Sequence, residues 1–166
     1  MTKQQLESAA RWFRASPRRI PALRAVNNVC VGSAVAAFGW GVLIRPGFSD
    51  PKLTLRLIGT CGIPFLLLSA VRHALNLPRP FEVYDLEPLI PRETRGKSFP
   101  SRHVFSICVI GTCFCFLEPW VGYSLLGLGA VLAALRVVSA VHYPRDVIAG
   151  AAFGVASGLI GFLILW

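Results

Sequence analysis

Five long apolar stretches, almost free of charge, alternate with mostly short polar connections along this 166-residue chain. Residues 25–44 hold no ionisable side chain, and residues 53–75 hold only Arg56 near one end and Arg72 and His73 near the other. Residues 100–118 contain a neutral run from Val104 to Leu117, residues 120–140 are apolar up to Arg136, and residues 147–166 are apolar to the last position. A helix needs roughly 17–25 mostly apolar residues to cross about 30 Å of hydrocarbon. The pattern therefore predicts an all-α integral membrane bundle of about five transmembrane helices. Trp40, Trp120 and Trp166 fall near the predicted ends, where interfacial aromatic residues collect.

The first 24 residues follow another rule. Leu6, Ala9, Ala10, Trp12 and Phe13 form a short apolar stripe interleaved with Lys3, Arg11, Arg14, Arg18 and Arg19, the pattern of a helix lying at a membrane surface. The chain thus divides into a basic amphipathic N-terminal segment, 1–24, and a transmembrane bundle, 25–166. Only one connection is long. Residues 76–99 hold Pro78, Pro80, Pro88 and Pro91 and the acids Glu82, Asp85, Glu87 and Glu93, with no helical period, and long loops in compact chains tend to be functional.

Composition narrows the class. The chain is 54% apolar and only 15% charged, against about 25% charged in a typical soluble domain, which excludes most soluble folds. Cys30, Cys61, Cys108, Cys113 and Cys115 all lie inside apolar runs and read as buried thiols rather than a disulfide framework. Seventeen basic residues against eight acidic ones give a formal charge of +9. That charge alone would admit a nucleic-acid partner; its placement does not.

Ionisable groups at or within membrane spans are expensive and mark function. Arg72 and Arg79 end the second span, His103 begins the third, Arg136 ends the fourth, and His142 and Asp146 precede the fifth. Strict alternation of five spans puts all six at one membrane face. Gly150, Gly154 and Gly158 repeat every fourth residue, a ridge that lets membrane helices approach closely. Asp146 stands one turn before Gly150 and so faces the bundle, and Arg136 shares a face with Ala133 and Gly129.

Such a cluster suits phosphate. Arg72, Arg79 and Arg136 offer planar donor forks that match phosphate oxygens, and Pro100 to His103 bring a hydroxyl, Ser101, and backbone N–H groups to a helix N-terminus. Two histidines can divide covalent catalysis, one as nucleophile and one as general acid. Asp146, four residues after His142, is spaced to accept its ring N–H. Two histidines and one aspartate among arginines make a poor metal site, and no cofactor is implied.

At these residues the sequence resembles the type-2 phosphatidic acid phosphatase superfamily, whose fold and site are shared with vanadium-dependent haloperoxidases. The family's Lys-x6-Arg-Pro motif corresponds to Arg72 through Arg79-Pro80, its Pro-Ser-Gly-His to Pro100-Ser101-Arg102-His103, and its Ser-Arg-x5-His-x3-Asp to Leu135-Arg136, His142 and Asp146. The resemblance implies that His142 attacks phosphorus, that Asp146 orients it, and that His103 protonates the leaving oxygen and then activates water. It also implies that Arg72, Arg79, Arg136, the Ser101 hydroxyl and amides near Arg102 hold the phosphoryl oxygens, without a metal. Three positions depart from the pattern. Arg72 replaces Lys, Leu135 replaces Ser, and Arg102 replaces Gly, which adds a fourth cation beside the site.

The expectation is a membrane lipid phosphatase acting on phosphatidic acid, phosphatidylglycerophosphate or a polyprenyl phosphate or diphosphate, with the bilayer around it and no nucleic acid. Two other readings are a membrane redox protein with haem on His103 and His142, and a non-catalytic anion-binding subunit. Every basic residue except Arg45, Lys52 and Arg56 falls on the active side. By the positive-inside rule that face is expected to be cytoplasmic, in the plasma membrane.

Overall fold

The computed structural model describes residues 2–43, 50–91 and 95–164. Among the described residues are seven helices: α1 (Lys3–Arg14), α2 (Arg19–Leu43), α3 (Pro51–Leu75), the single turn α4 (Pro80–Val83), α5 (Arg102–Leu117), α6 (Pro119–Val138) and α7 (Pro144–Leu163). Each of the five apolar stretches carries a helix within its described residues. Ile44, Arg45, Arg92, Glu93 and Trp166, which entered the sequence reading, lie outside the described residues.

Among the described residues, four helical segments, those containing α2, α3, α6 and α7, are long and apolar enough to cross a membrane. The third predicted span is different. α5 has 16 residues, about 24 Å at 1.5 Å per residue, and nearly every side chain from Val104 to Phe114 is buried. It is the central post, with α2, α3, α6 and α7 all packed against it. α7 reaches α5 through its glycine ridge. A Cβ at Gly150 would come 2.6 Å from the Ser101 carbonyl, one at Gly154 2.6 Å from the Phe105 carbonyl, and one at Gly158 2.6 Å from Thr112 Cβ. Backbone thus lies on backbone, as the ridge predicts.

The ends of α3 follow from local chemistry. Asp50 Oδ1 accepts from the amides of Lys52 and Leu53 at 3.0 and 3.2 Å, capping the helix N-terminus. Asn76 ends it in the left-handed region, φ +40°, with its N–H on the Arg72 carbonyl. Arg56, a charge inside an apolar stretch, donates to the carbonyls of Gly161 at 3.0 Å and Phe162 at 2.5 Å and lies over the Phe162 ring. It thus binds carbonyls in the last turn of α7, where a cation also meets the negative end of the helix dipole.

Trp40, half-buried near the end of α2, stacks on Phe114, centroids 5.8 Å apart. The N-terminal segment also makes contacts within the protein: α2 already begins at Arg19, six residues before the boundary expected, and α1, mostly exposed, buries Leu6. Ala10, Phe13 and Ile20 rest on a small core of Leu23, Leu89, Ile90 and Val141, and Arg14 bridges to Glu87 at 2.8 Å. With Arg24 Nε on the Leu89 carbonyl at 3.0 Å, the N-terminal helices brace the long loop.

Candidate active site

The C-terminal ends of α3 and α6 and the N-terminal ends of α5 and α7 meet at one end of the bundle. Arg72, Arg79, Ser101, Arg136, His142 and Asp146 are all buried there, whereas His103 is half-buried and Arg102 exposed. Arg72, at the end of α3, donates from one guanidinium nitrogen to the carbonyls of Ser98 and Pro100. Arg79, at the start of α4, donates to the carbonyls of Gly96 and Val141, each at 3.0 Å. Gly96 has φ +65°, and a Cβ on it would lie 2.4 Å from Asn76 Oδ1. This close approach folds the loop back so that its carbonyls hold the arginines. The amides of Val141 and His142 both donate to the Arg136 carbonyl at 3.2 Å, which seats the loop between α6 and α7.

His142 Nδ1 lies 3.5 Å from Asp146 Oδ2, in contact but longer than a hydrogen bond. The expected direct bond is therefore not formed. Asp146 Oδ2 instead accepts from Ser98 Oγ at 2.5 Å and from the Tyr143 amide at 2.9 Å. Ser101 donates its own N–H to the Asp146 carbonyl at 2.9 Å, so this amide is not available to a phosphate. The Ser101 hydroxyl is fully buried and has no hydrogen-bond partner among the described residues. Burial, reinforced by the charges of Arg79 and Arg72 and opposed by Asp146, pushes the His142 imidazole down to about 4. His142 is thus neutral at physiological pH, the state a nucleophile or hydrogen-bond acceptor requires.

Two hollows adjoin this cluster. One, of about 500 Å³, is lined by Ser69, Arg72, His73, Arg79 and the rim residues Arg95, Lys97 and Arg102. The other, of about 290 Å³, is an apolar groove among α2, α3, α5 and α6, walled by residues such as Val31, Val35, Phe65 and Ile110, with His103 and Arg102 at its polar end. Arg102 belongs to both. Among the described residues no group of three His, Cys, Asp or Glu side chains is placed to hold a metal ion.

The family model described as the PAP2 superfamily matches residues 53–166, which includes every residue of the site. The chain belongs to the PAP2 superfamily. Its fold resembles two solved proteins: LpxE of Aquifex aeolicus, with TM-score 0.64 and 23% identity over 85% of this chain and 92% of that one, and a PAP2-type phosphatidylglycerolphosphate phosphatase of Bacillus subtilis, with TM-score 0.65 and 17% identity over 96% and 81%. In sequence it is similar to a lipid A 1-phosphatase of Rhizobium johnstonii, 30% identical over 60% of this chain and 42% of that protein. It is also similar to a putative undecaprenyl-diphosphatase, YbjG, of Escherichia coli, 27% identical over 80% and 64%. The matched part spans less than half the length of the lipid A 1-phosphatase.

Within this PAP2 site, Ser98 is the residue that sequence reasoning missed. Its hydroxyl holds Asp146, its carbonyl holds Arg72, and its N–H donates to the Leu77 carbonyl at 2.9 Å. A serine in a proline-rich loop has no period to betray it; the only signal is that it stands two residues before Pro100. Ser98→Ala keeps the backbone bonds and removes the hydroxyl. Turnover is expected to fall about tenfold with little change in KM, and Ser98→Thr to restore part of it, since a charge-assisted bond is worth about 1.5–3 kcal/mol. An unchanged kcat in Ser98→Ala would refute this.

Proposed function

We propose that the protein is a membrane lipid phosphatase that works through a phosphohistidine. The observation that carries this reading is the buried, neutral His142 in contact with Asp146 beside a cationic basin, next to an apolar groove that can take a lipid tail. With Nδ1 turned to Asp146, the other ring nitrogen of His142 keeps its lone pair for in-line attack on phosphorus. Closure of the 3.5 Å gap in the substrate complex would fix that tautomer; such contacts are often long before substrate binds. Asp146 itself is held by Ser98 and Tyr143, so the imidazole is the partner that moves.

Arg72, Arg79 and Arg136 supply charge for the phosphoryl oxygens, and the Ser101 hydroxyl adds a donor. His103 stands where the groove meets Arg102, the side from which a lipid leaving group departs. There it protonates the leaving oxygen and then takes a proton from the water that hydrolyses the phosphohistidine. Relatives named for lipid A and undecaprenyl diphosphate support an amphiphilic substrate. The active face is read as cytoplasmic and the membrane as the plasma membrane. A reporter fused after Trp166 should then lie outside, and a cytoplasmic C-terminus would reverse the assignment.

The test is phosphate release, in the presence of a chelator, from phosphatidic acid, phosphatidylglycerophosphate, and a polyprenyl phosphate and diphosphate. Release from at least one is expected; release from none, by well-folded protein, refutes the reading. The pH dependence follows from His142. Because its pKa is lowered, the neutral form persists as pH falls below 6.5 and is lost only toward about 4. The acid limb of kcat/KM assigned to the nucleophile should therefore lie below the usual imidazole range. The linked stability has the same sign: it is fully present above about pH 6.5 and lost as pH falls through the folded-state value. A nucleophile limb at pH 6.5 or above would contradict this burial.

A further inference from the structure

The basin carries more positive charge than one phosphoryl group uses. Arg72 and Arg79 lie at its buried wall, tied to loop carbonyls, and Arg95, Lys97 and Arg102 stand exposed at its rim. No carboxylate is among the described residues that line it. Glu82 accepts from the Gly96 amide at 2.7 Å, and Glu87 is bound to Arg14. Ser69 Oγ, buried and without a hydrogen-bond partner among the described residues, faces the same space.

Arg102 is the link. It lines both the basin and the polar end of the apolar groove, beside His103, and its guanidinium lies 5.9 Å from the centre of the Phe65 ring at that junction. A lipid with its tail in the groove and its terminal phosphoryl group at Arg72 and Arg79 must pass Arg102 with whatever joins the two. A neutral ester linkage has no use for a guanidinium there, whereas a second phosphate does.

We propose that Arg102, with Lys97 and Arg95, forms a subsite for the inner phosphate of a lipid diphosphate, and that lipid diphosphates are the preferred substrates. The inference rests on the phosphatase reading above. His142 attacks the terminal phosphorus, and the bond from that phosphorus to the bridging oxygen breaks. The oxygen leaves with the lipid monophosphate, its charge met by Arg102 and its proton supplied by His103. Water then cleaves the phosphohistidine to release inorganic phosphate.

The full chain, reconstituted in detergent, is assayed on a polyprenyl diphosphate and on the monophosphate with the same tail. Wild-type protein should prefer the diphosphate, and Arg102→Gln should lower the diphosphate-to-monophosphate ratio of kcat/KM at least about tenfold. Arg102→Lys should keep part of the ratio. Inorganic diphosphate should also inhibit the wild type more tightly than inorganic phosphate, a difference that Arg102→Gln removes; this readout reports on binding alone. Equal losses on both substrates, or no loss on either, overturn the subsite and leave the phosphatase reading standing. Release of phosphate from neither substrate by the wild type overturns that reading, and the subsite with it.

Discussion

His142→Gln is expected to reduce phosphate release by at least about a thousandfold, the scale of losing a covalent nucleophile that acts with a positioned partner. Glutamine is chosen because it fills most of the imidazole's volume in a pocket where His142 is 2% exposed. The helices should therefore remain assembled, with an unchanged elution volume and melting temperature. A single-turnover experiment with terminally radiolabelled lipid phosphate separates the nucleophile from a merely structural histidine. Wild-type protein should pass through a labelled species that survives alkali and is lost in acid, as a phosphoramidate is, and His142→Gln should show none. Asp146→Asn should still form the species, but slowly, because Asp146 orients the ring without bonding phosphorus. Retention of a tenth of the activity in His142→Gln would sink the mechanism.

The residues at the centre of this prediction were legible in the sequence because membrane folding leaves few alternatives. Apolar runs of about twenty residues must be helices, since only a helix satisfies its own backbone in lipid. Alternation then sends Arg72, His103, Arg136, His142 and Asp146 to one end whatever the packing. What hydropathy does not distinguish is lipid from protein, which are equally apolar. α5 therefore read as one more span, with nothing to mark it as the buried post around which the others stand, and nothing in the pattern paired Trp40 with Phe114. The other hidden element is carbonyl placement. Arg72 and Arg79 are aimed by the backbone oxygens of Ser98, Pro100, Gly96 and Val141, and a sequence pattern does not say where a loop turns its carbonyls. Ser98 was invisible for the same reason.

The glycine ridge gives the second large effect, and it connects packing to chemistry. Gly154→Val is expected to unfold or separate the α5–α7 pair. Its Cβ would stand 2.6 Å from the Phe105 carbonyl and 3.0 Å from the Val109 amide nitrogen, and backbone has no rotamer to yield, so the loss should reach about 3 kcal/mol or more. Gly150→Ala is the more telling variant. Its Cβ meets the Ser101 carbonyl at 2.6 Å, and Ser101 is the residue whose N–H holds the Asp146 carbonyl. Pushing the start of α5 away from α7 therefore moves Ser101 and its neighbours Arg102 and His103 relative to His142. A displacement of about 1 Å at a reacting centre costs about a hundredfold, so kcat should fall by that order even where thermal stability falls only moderately. Gly127, with nothing within 4 Å of its Cβ position, is the control. Gly127→Ala should leave activity intact and stability equal or slightly raised, because alanine favours the helix. If Gly150→Ala and Gly127→Ala behaved alike in turnover, the α7 ridge would be packing without a bearing on the site, and the route from Gly150 through Ser101 to Asp146 would have to be abandoned.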